Sequence, residues 1–432
     1  MNRVVGVGLA GFGTVGSGVF KHLTANGDVL ERRTGCRFEV RKVAVRDTAR
    51  PRAIMPPGGV LTGRVEDVVE DPAVEIVVEL LGGIETPLRL VRSALERGKP
   101  VVTGNKALLA EHGGELFALA AERGVPIYYE AAVAGGIPII KSVKEAFIGN
   151  RFTSIHGILN GTSNFILTRM QEGGLSYADA LGEAVALGYA EADPTLDVSG
   201  WDAAHKAIIL ASLAYGFWLS PSDVLVQGIA SLAREDVRFA GDLGYAIKLL
   251  ATIKAAAGDA IEVRVCPTLI PLAHGLASVG GVLNSICVRG DVVGDAIFTG
   301  RGAGQDPTAS SVLGDVAEAA LALDRAPRCT GFTSHELYGR CLPQAETISK
   351  FYLRLSVEDR PGVLAQVAGS LASAGIGISA VIQPDTTDAG PVPLILMIHD
   401  AADGAVRRAV AEIERLDCVK ARPVLLHVEP FA

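Results

Sequence analysis

The chain has 432 residues, 49% of them hydrophobic, with a mean hydropathy of +0.33, so it is long enough for two or three domains and can bury a large core. Its net charge is −8 and acids and bases are interspersed, which argues against a nucleic-acid surface, where a basic stripe would be expected. The six cysteines (Cys36, Cys266, Cys287, Cys329, Cys341 and Cys418) form no C-x-x-C pair, which excludes a zinc-ligand spacing and argues for a reduced, cytoplasmic setting without a disulfide framework.

In chain order, residues 3–9 read as a strand and 14–25 as a helix. The apolar run after Arg3 faintly imitates a signal peptide, but glycines at 6, 8, 11, 13, 16 and 18 break it, and strand–turn–helix accounts for it better. Strands follow at 38–45, 76–81, 100–103 and 127–129, with a helical stretch over 87–97. Strands alternating with helices indicate a doubly wound parallel sheet over about the first 135 residues.

From Gly136 the pattern changes to an inserted α/β substrate domain. It has a helical segment at 139–146, strands at 151–159, 262–267, 285–290 and 295–299, and helices at 163–171, 176–188, 199–215, 221–226 and 242–256. The apolar stretch 207–219 is too short to span a bilayer core of ~30 Å and reads as a buried helix. A helical pattern at 308–323 returns to the first domain. Pro327, Gly331 and Pro343 mark a break before a tail ordered βαββαβ, a ferredoxin-like module. The expected division is therefore 1–137 for dinucleotide binding, completed by about 305–325; 138–304 for substrate and dimerisation; a linker at 326–348; and a module at 349–432.

Gly11-x-Gly13-x-x-Gly16 follows a strand and opens a helix. The first glycine permits a tight turn, the second lets backbone approach a pyrophosphate, and the third allows close helix packing; free N–H groups at the helix start face the anion. At the end of the second strand stand Arg46 and Asp47, then Arg50 and Arg52. Arginine there pairs with a 2′-phosphate and aspartate with a free ribose diol, so Arg46 favours NADP while NAD stays open. Thr103-Gly-Asn-Lys106 ends a parallel strand, where open α/β sheets place ligands.

Asp202 and Lys206 are spaced i, i+4 and share one face of a helix that continues into an apolar run. A buried lysine has a depressed pKa and can give a proton to a carbonyl oxygen as hydride reaches carbon. Glu191, Asp197 and Asp202 can hold a substrate ammonium, whereas His205 lies off that face and reads as structural. Glu130 precedes the glycine-rich turn Val133-Ala-Gly135-Gly-Ile137, a form that can aim carbonyls at a hard cation or be a plain turn. A dehydrogenase for a small ammonium-bearing substrate fits best, with a non-catalytic amino-acid sensor as the rival; a sensor would be expected to lose Lys106 or Lys206, and both are present.

Together GFGTVG at 11–16, TGNKALLA at 103–110, EAAVAGGIPII at 130–140, GILNGTSNFIL at 157–167, EADPTLDVSGWDAAHK at 191–206 and GAGQDPTASSV at 302–312 resemble the homoserine dehydrogenase family, in its motif order, over residues 3–325. The tail resembles an ACT domain through Asp359-Arg-Pro-Gly-Val-Leu364. The resemblance implies interconversion of L-homoserine and L-aspartate 4-semialdehyde with NADP or NAD, within threonine, methionine and isoleucine biosynthesis. It gives Lys206 the role of proton donor and places Lys106 beside substrate and nicotinamide. Glu191 and Asp202 would hold homoserine with Asp197 close by, and Phe12, Thr14, Val15, Gly188 and Gly304 would contact cofactor. Glu130 and the carbonyls of Val133, Gly135 and Ile137 would hold a structural sodium ion. A homodimer or homotetramer is implied, with threonine as a possible effector of the tail and neither nucleic acid nor membrane as partner. Gly104 stands where the family commonly has alanine or proline, a small change that leaves Lys106 in place; Gln305-Asp306 replace smaller residues after the GAG turn, and an acid there bears on how the cofactor is covered and on nucleotide preference.

Overall fold

The computed structural model describes residues 3–191, 193–323, 330–384 and 390–431. Pro327 and Cys329 lie outside the described residues, as does Ala192. The chain divides into two compact units that each draw on separate stretches of sequence. One comprises residues up to Phe152 with His205–Pro221 and Arg289–Gly339; the other comprises Thr153–Ala204, Ser222–Val288 and residues from Arg340 on.

The first unit holds a parallel sheet of β1 (Arg3–Ala10), β2 (Cys36–Ala44), β3 (Leu61–Thr62), β4 (Ile76–Glu79), β5 (Val101–Thr103) and β6 (Ile127–Tyr128), in the order β3-β2-β1-β4-β5-β6. This is the strand order of dinucleotide-binding sheets, with a crevice where the winding reverses between β1 and β4. Val5, Val7 and Leu9 of β1 and all four residues of β4 are buried, as expected of strands covered on both faces. Helix Thr14–Ala25 packs on this core with Gln305–Ala322, whose Ala309, Val312 and Val316 join it. The two helices approach so closely that a Cβ on Gly18 would lie 2.7 Å from the Gln305 side chain.

In the second unit a sheet runs in the order Leu283–Gly290, Phe152–Ile158, Tyr245–Ala255, Ala260–Pro271, Val424–Val428, Ile348–Val357, Val392–Ala402, Ile378–Ile382. The last four strands, with helices Val363–Ser373 and Asp403–Ile413, have the βαββαβ order. Their own core centres on Phe351, Leu353, Val367, Leu371, Leu396 and Ile413. The final strand also pairs in parallel with Ala260–Pro271, with Thr268 opposite His427 and Leu269 opposite Val428. The tail is thus part of the unit's sheet.

Charged groups are buried along this seam. Arg264 is fully buried and meets Glu262 on its own strand and Glu429 at 3.1 Å just beyond the last strand. Glu429 also takes Lys254 Nζ at 2.5 Å and lies 3.6 Å from His156 Nε2. Burial alone would raise the Glu429 pKa, but His156, Lys254 and Arg264 hold it well below the usual carboxylate range. A second tie joins helix Arg234–Asp242 to the tail: the buried Asp236 carboxylate accepts from Arg354 at 2.5 and 3.0 Å and from the Tyr352 hydroxyl at 3.2 Å.

Two expected helices are corrected. The segment 242–256 is a strand, Tyr245–Ala255, paired antiparallel along its length with Ala260–Pro271. Its Leu, Ala and Lys residues favour helix, but residues 246–253 are all buried and sheet context overrides so weak a preference. The segment 221–226 is a single 3₁₀ turn, Pro221–Asp223, followed by the short strand Leu225–Val226. Helices Gly27–Thr34 and Arg234–Asp242 were not expected.

Candidate active site

At the end of β1 the chain turns at Gly11, whose φ of +99° lies in the left-handed region that favours glycine. A Cβ there would lie 2.5 Å from the Leu80 carbonyl oxygen, and one on Gly16 would lie 2.2 Å from the Gly11 carbonyl oxygen. Gly13 has nothing within 4 Å of its would-be Cβ. The outer two glycines thus serve packing, and the middle one leaves backbone open to a ligand.

This turn opens on a cavity of about 1110 Å³ in the first unit. Gly11, Phe12, Gly13 and Thr14 form one wall, and Val45, Arg46, Asp47, Arg50 and Arg52 form another. Leu80–Gly82 and Gln305 also line it. Val15 and Gly16 lie in the helix behind and do not line the cavity. Arg52 donates to the carbonyls of Arg50 and Asp47 at 2.7 and 2.5 Å, folding the arginine loop on itself. Sequence reasoning did not single out Ser17 or Lys21, yet both line the cavity. Gln305 Nε2 donates to Ser17 Oγ at 3.1 Å, and Asp306 meets Lys21 at 3.2 Å and His22 at 2.7 Å. Gly304, with φ +124°, caps that helix, and Lys106 is the first residue of helix Lys106–Arg123.

The second unit gathers carboxylates. Asn160, just before helix Gly161–Gly173, donates from Nδ2 to Asp197 at 2.7 Å and Asp202 at 2.8 Å. Its Oδ1 accepts Ser163 N–H at 2.7 Å, so the amide orientation is fixed. The sequence reading found both aspartates but missed Asn160, an asparagine at an ordinary helix cap. Asp202 sits in the first turn of helix Trp201–Tyr215, and Lys206 follows one turn later with 8% of its surface exposed. Glu191 is exposed, on the segment before helix Thr195–Val198, and Gly188 has φ +74° at the end of the preceding helical segment.

The Glu130 turn has a different character. The buried carboxylate accepts Ile140 N–H and Lys141 N–H at 2.9 Å each, and burial raises its pKa. Ala134 and Gly135 have φ of +54° and +48°, a costly conformation for alanine. The Gly135 carbonyl accepts from Ser311 Oγ at 2.6 Å, and the Ile137 carbonyl accepts from Ile139 N–H at 2.8 Å. Each of these two carbonyl oxygens keeps a second lone pair, and oxygen donors of this kind suit a hard cation. Among the described residues no group of three or more His, Cys, Asp or Glu could hold a metal ion.

The parallel sheet, its glycine turn and the cavity above it define a dinucleotide-binding protein. Residues 11–130 match the family model of the homoserine dehydrogenase NAD-binding domain, and residues 138–317 match that of homoserine dehydrogenase. A homoserine dehydrogenase of Pseudomonas aeruginosa is 43% identical over 99% of both chains, and one of Neisseria gonorrhoeae is 41% identical over 99% of both. The crystal structure of a homoserine dehydrogenase from Thiobacillus denitrificans superposes with a TM-score of 0.94 at 42% identity, covering 100% of this chain and 99% of that one. A hyperthermophilic archaeal homoserine dehydrogenase in complex with NADPH matches 75% of this chain and 100% of its own, with a TM-score of 0.64 at 28% identity. The chain belongs to the homoserine dehydrogenase family and is an oxidoreductase acting on a CH–OH group. No helix among the described residues is long and apolar enough to cross a membrane.

Proposed function

We propose that this homoserine dehydrogenase prefers NADP, reduces L-aspartate 4-semialdehyde to L-homoserine, and uses Lys206 as the proton donor. The observation that carries the reading is the lysine itself, largely buried one helical turn after Asp202, which Asn160 ties to Asp197. NADPH, when bound, supplies the hydride to the aldehyde carbon. Lys206 then gives one proton from Nζ to the carbonyl oxygen, and the reverse reaction returns it. Glu191, Asp197 and Asp202 hold the substrate ammonium, with Lys106 beside the reacting end. Gly11–Gly16 receives the pyrophosphate, Gly188 and Gly304 contact the cofactor, and Arg46 meets the 2′-phosphate.

The same reading has residues 1–137, completed by about 305–325, binding dinucleotide, and 138–304 binding substrate and dimerising. After a linker at 326–348, residues 349–432 act as an ACT-type module responsive to threonine. A sodium ion held by Glu130 and the carbonyls of Val133, Gly135 and Ile137 stiffens the turn. The enzyme works in the cytoplasm as a homodimer or homotetramer, in the synthesis of threonine, methionine and isoleucine.

The test follows nicotinamide absorbance with L-homoserine and NADP or NAD. Lys206→Ala is expected to lower kcat by about 10²–10⁴-fold, the usual worth of a positioned acid, with NADPH affinity little changed. Near-normal turnover in that variant would remove Lys206 from the mechanism.

A further inference from the structure

Two loops leave the sheet side by side: Leu80–Gly83 after β4, of which Leu80, Leu81 and Gly82 line the cavity, and Gly104–Asn105 after β5. Between them lies Glu79, the last residue of β4, with no exposed surface. One carboxylate oxygen accepts Leu81 N–H at 2.7 Å, and the other accepts the Thr103 hydroxyl at 2.6 Å. Thr103 Oγ1 in turn accepts Asn105 N–H at 3.0 Å. Asn105 closes the circuit, since its Nδ2 donates to the Gly83 carbonyl at 2.9 Å. Its Oδ1 accepts Leu108 N–H at 3.1 Å and so caps the helix that begins at Lys106.

Strand pairing does not need this carboxyl. The sheet already aligns Val77 with Val101, Val78 with Val102 and Glu79 with Thr103 through backbone. An apolar residue at position 79 would fill the space without the desolvation cost of a buried acid. Burial raises the Glu79 pKa to about 7, which shows how poorly the site suits a charge. What the carboxyl adds lies beyond the strand ends, where it ties both loops to one point. The first loop presses on the fingerprint turn, because a Cβ on Gly11 would lie 2.5 Å from Leu80 O and 3.2 Å from Leu81 N.

We infer that Glu79 is a positioning residue for the dehydrogenase reaction: through Leu81 and Thr103 it fixes the cofactor-facing loop after β4 and the point at which Lys106 enters its helix. The part that concerns Lys106 rests on the function proposed above; the part that concerns the cofactor loop does not.

The decisive variants are Thr103→Val, which keeps shape and removes the relay, and Thr103→Ser, which keeps the hydroxyl. In the full chain, Thr103→Val is expected to lower kcat by about 10–100-fold, the usual effect of misplacing a reacting group by ~1 Å. It should also weaken NADPH binding several-fold by fluorescence titration, with a thermal midpoint within a few degrees of the parent, while Thr103→Ser restores both readouts. Glu79→Met, which removes both acceptors, should behave like Thr103→Val, and the double variant should be no worse than the poorer single, because both cut one circuit. Normal kcat and NADPH affinity in Thr103→Val, or losses that multiply in the double variant, would overturn the inference. If Glu79→Met does not fold, the valine–serine pair at position 103 decides alone. Lys106→Ala tests the functional reading separately: unchanged kcat there with weakened NADPH binding in Thr103→Val would reject that role for Lys106 and uphold Glu79 as the anchor of the cofactor loop.

Discussion

Replacing Glu429 by glutamine keeps the size of the side chain and removes one charge from the seam between the tail and the rest of its unit. Its carboxylate lies 2.5 Å from Lys254, 3.1 Å from Arg264 and 3.6 Å from His156, with 5% of its side chain exposed. Arg264 has no exposed surface, so the variant leaves a guanidinium that water cannot reach, with Glu262 as its remaining carboxylate partner. Breaking a buried pair by removing one partner costs ~3–5 kcal/mol. The remaining Glu262 and the partly exposed Lys254, 27% of whose side chain is open to solvent, place the expected loss at the low end, about 3 kcal/mol. At about 2–4 °C per kcal/mol for a unit of this size, calorimetry should show a midpoint lower by about 6–12 °C. The sign with pH follows from the depressed Glu429 pKa. The stabilisation is present above the carboxyl's ordinary value of 4.5 and is lost as pH falls towards the folded-state value. The gap between parent and variant should therefore stay constant from pH 8 to about 5 and shrink below that. A loss under about 1 kcal/mol at neutral pH would mean that the cluster is better hydrated than the structure shows and would refute the reasoning.

Three further outcomes can be checked. Gly11→Ala forces a side chain into a left-handed turn 2.5 Å from Leu80 O, so NADPH affinity should fall at least about tenfold by titration, and unchanged affinity would refute the fit of the turn. Asn160→Asp exchanges two donated hydrogen bonds for a third carboxylate beside Asp197 and Asp202, which should raise the KM for homoserine by about 10–100-fold; a change under twofold would separate that cluster from the substrate. Arg46→Ala should raise the KM for NADP by about tenfold or more while leaving that for NAD within about threefold, and equal effects on both would remove Arg46 as the reader of the 2′-phosphate.

The first sheet was legible because its signals are local. Gly11, Gly13 and Gly16 announce a turn, and β4 reads as an apolar run because both of its faces are covered. The strand Tyr245–Ala255 was not legible for the same reason turned round: an apolar run buried on all sides has no alternation to separate strand from helix. Within the site, Asp197, Asp202 and Lys206 stood out by charge in a short segment. Asn160 did not, since its partners are 37 and 42 residues away in sequence and only folding brings them together. Glu79 carried one signal that could have been used: an acid closing the apolar run Ile76-Val-Val-Glu79 where a cleft-facing strand ends.

The parallel pairing of Val424–Val428 with Ala260–Pro271 also bears on how the molecule is made. Synthesis runs from the N-terminus, so Val424–Val428 leaves the ribosome well after the strand Ala260–Pro271 that it pairs with. Until then one side of that strand stays open near Thr268 and Leu269, and Arg264 waits for Glu429. A chain cut before Val424 would keep the whole nucleotide-binding sheet yet leave the second unit with an unpaired strand edge and a stranded buried cation, both of which invite aggregation. Removal of Val424–Glu429 should therefore be as damaging to the second unit as loss of a segment near the middle of its sheet.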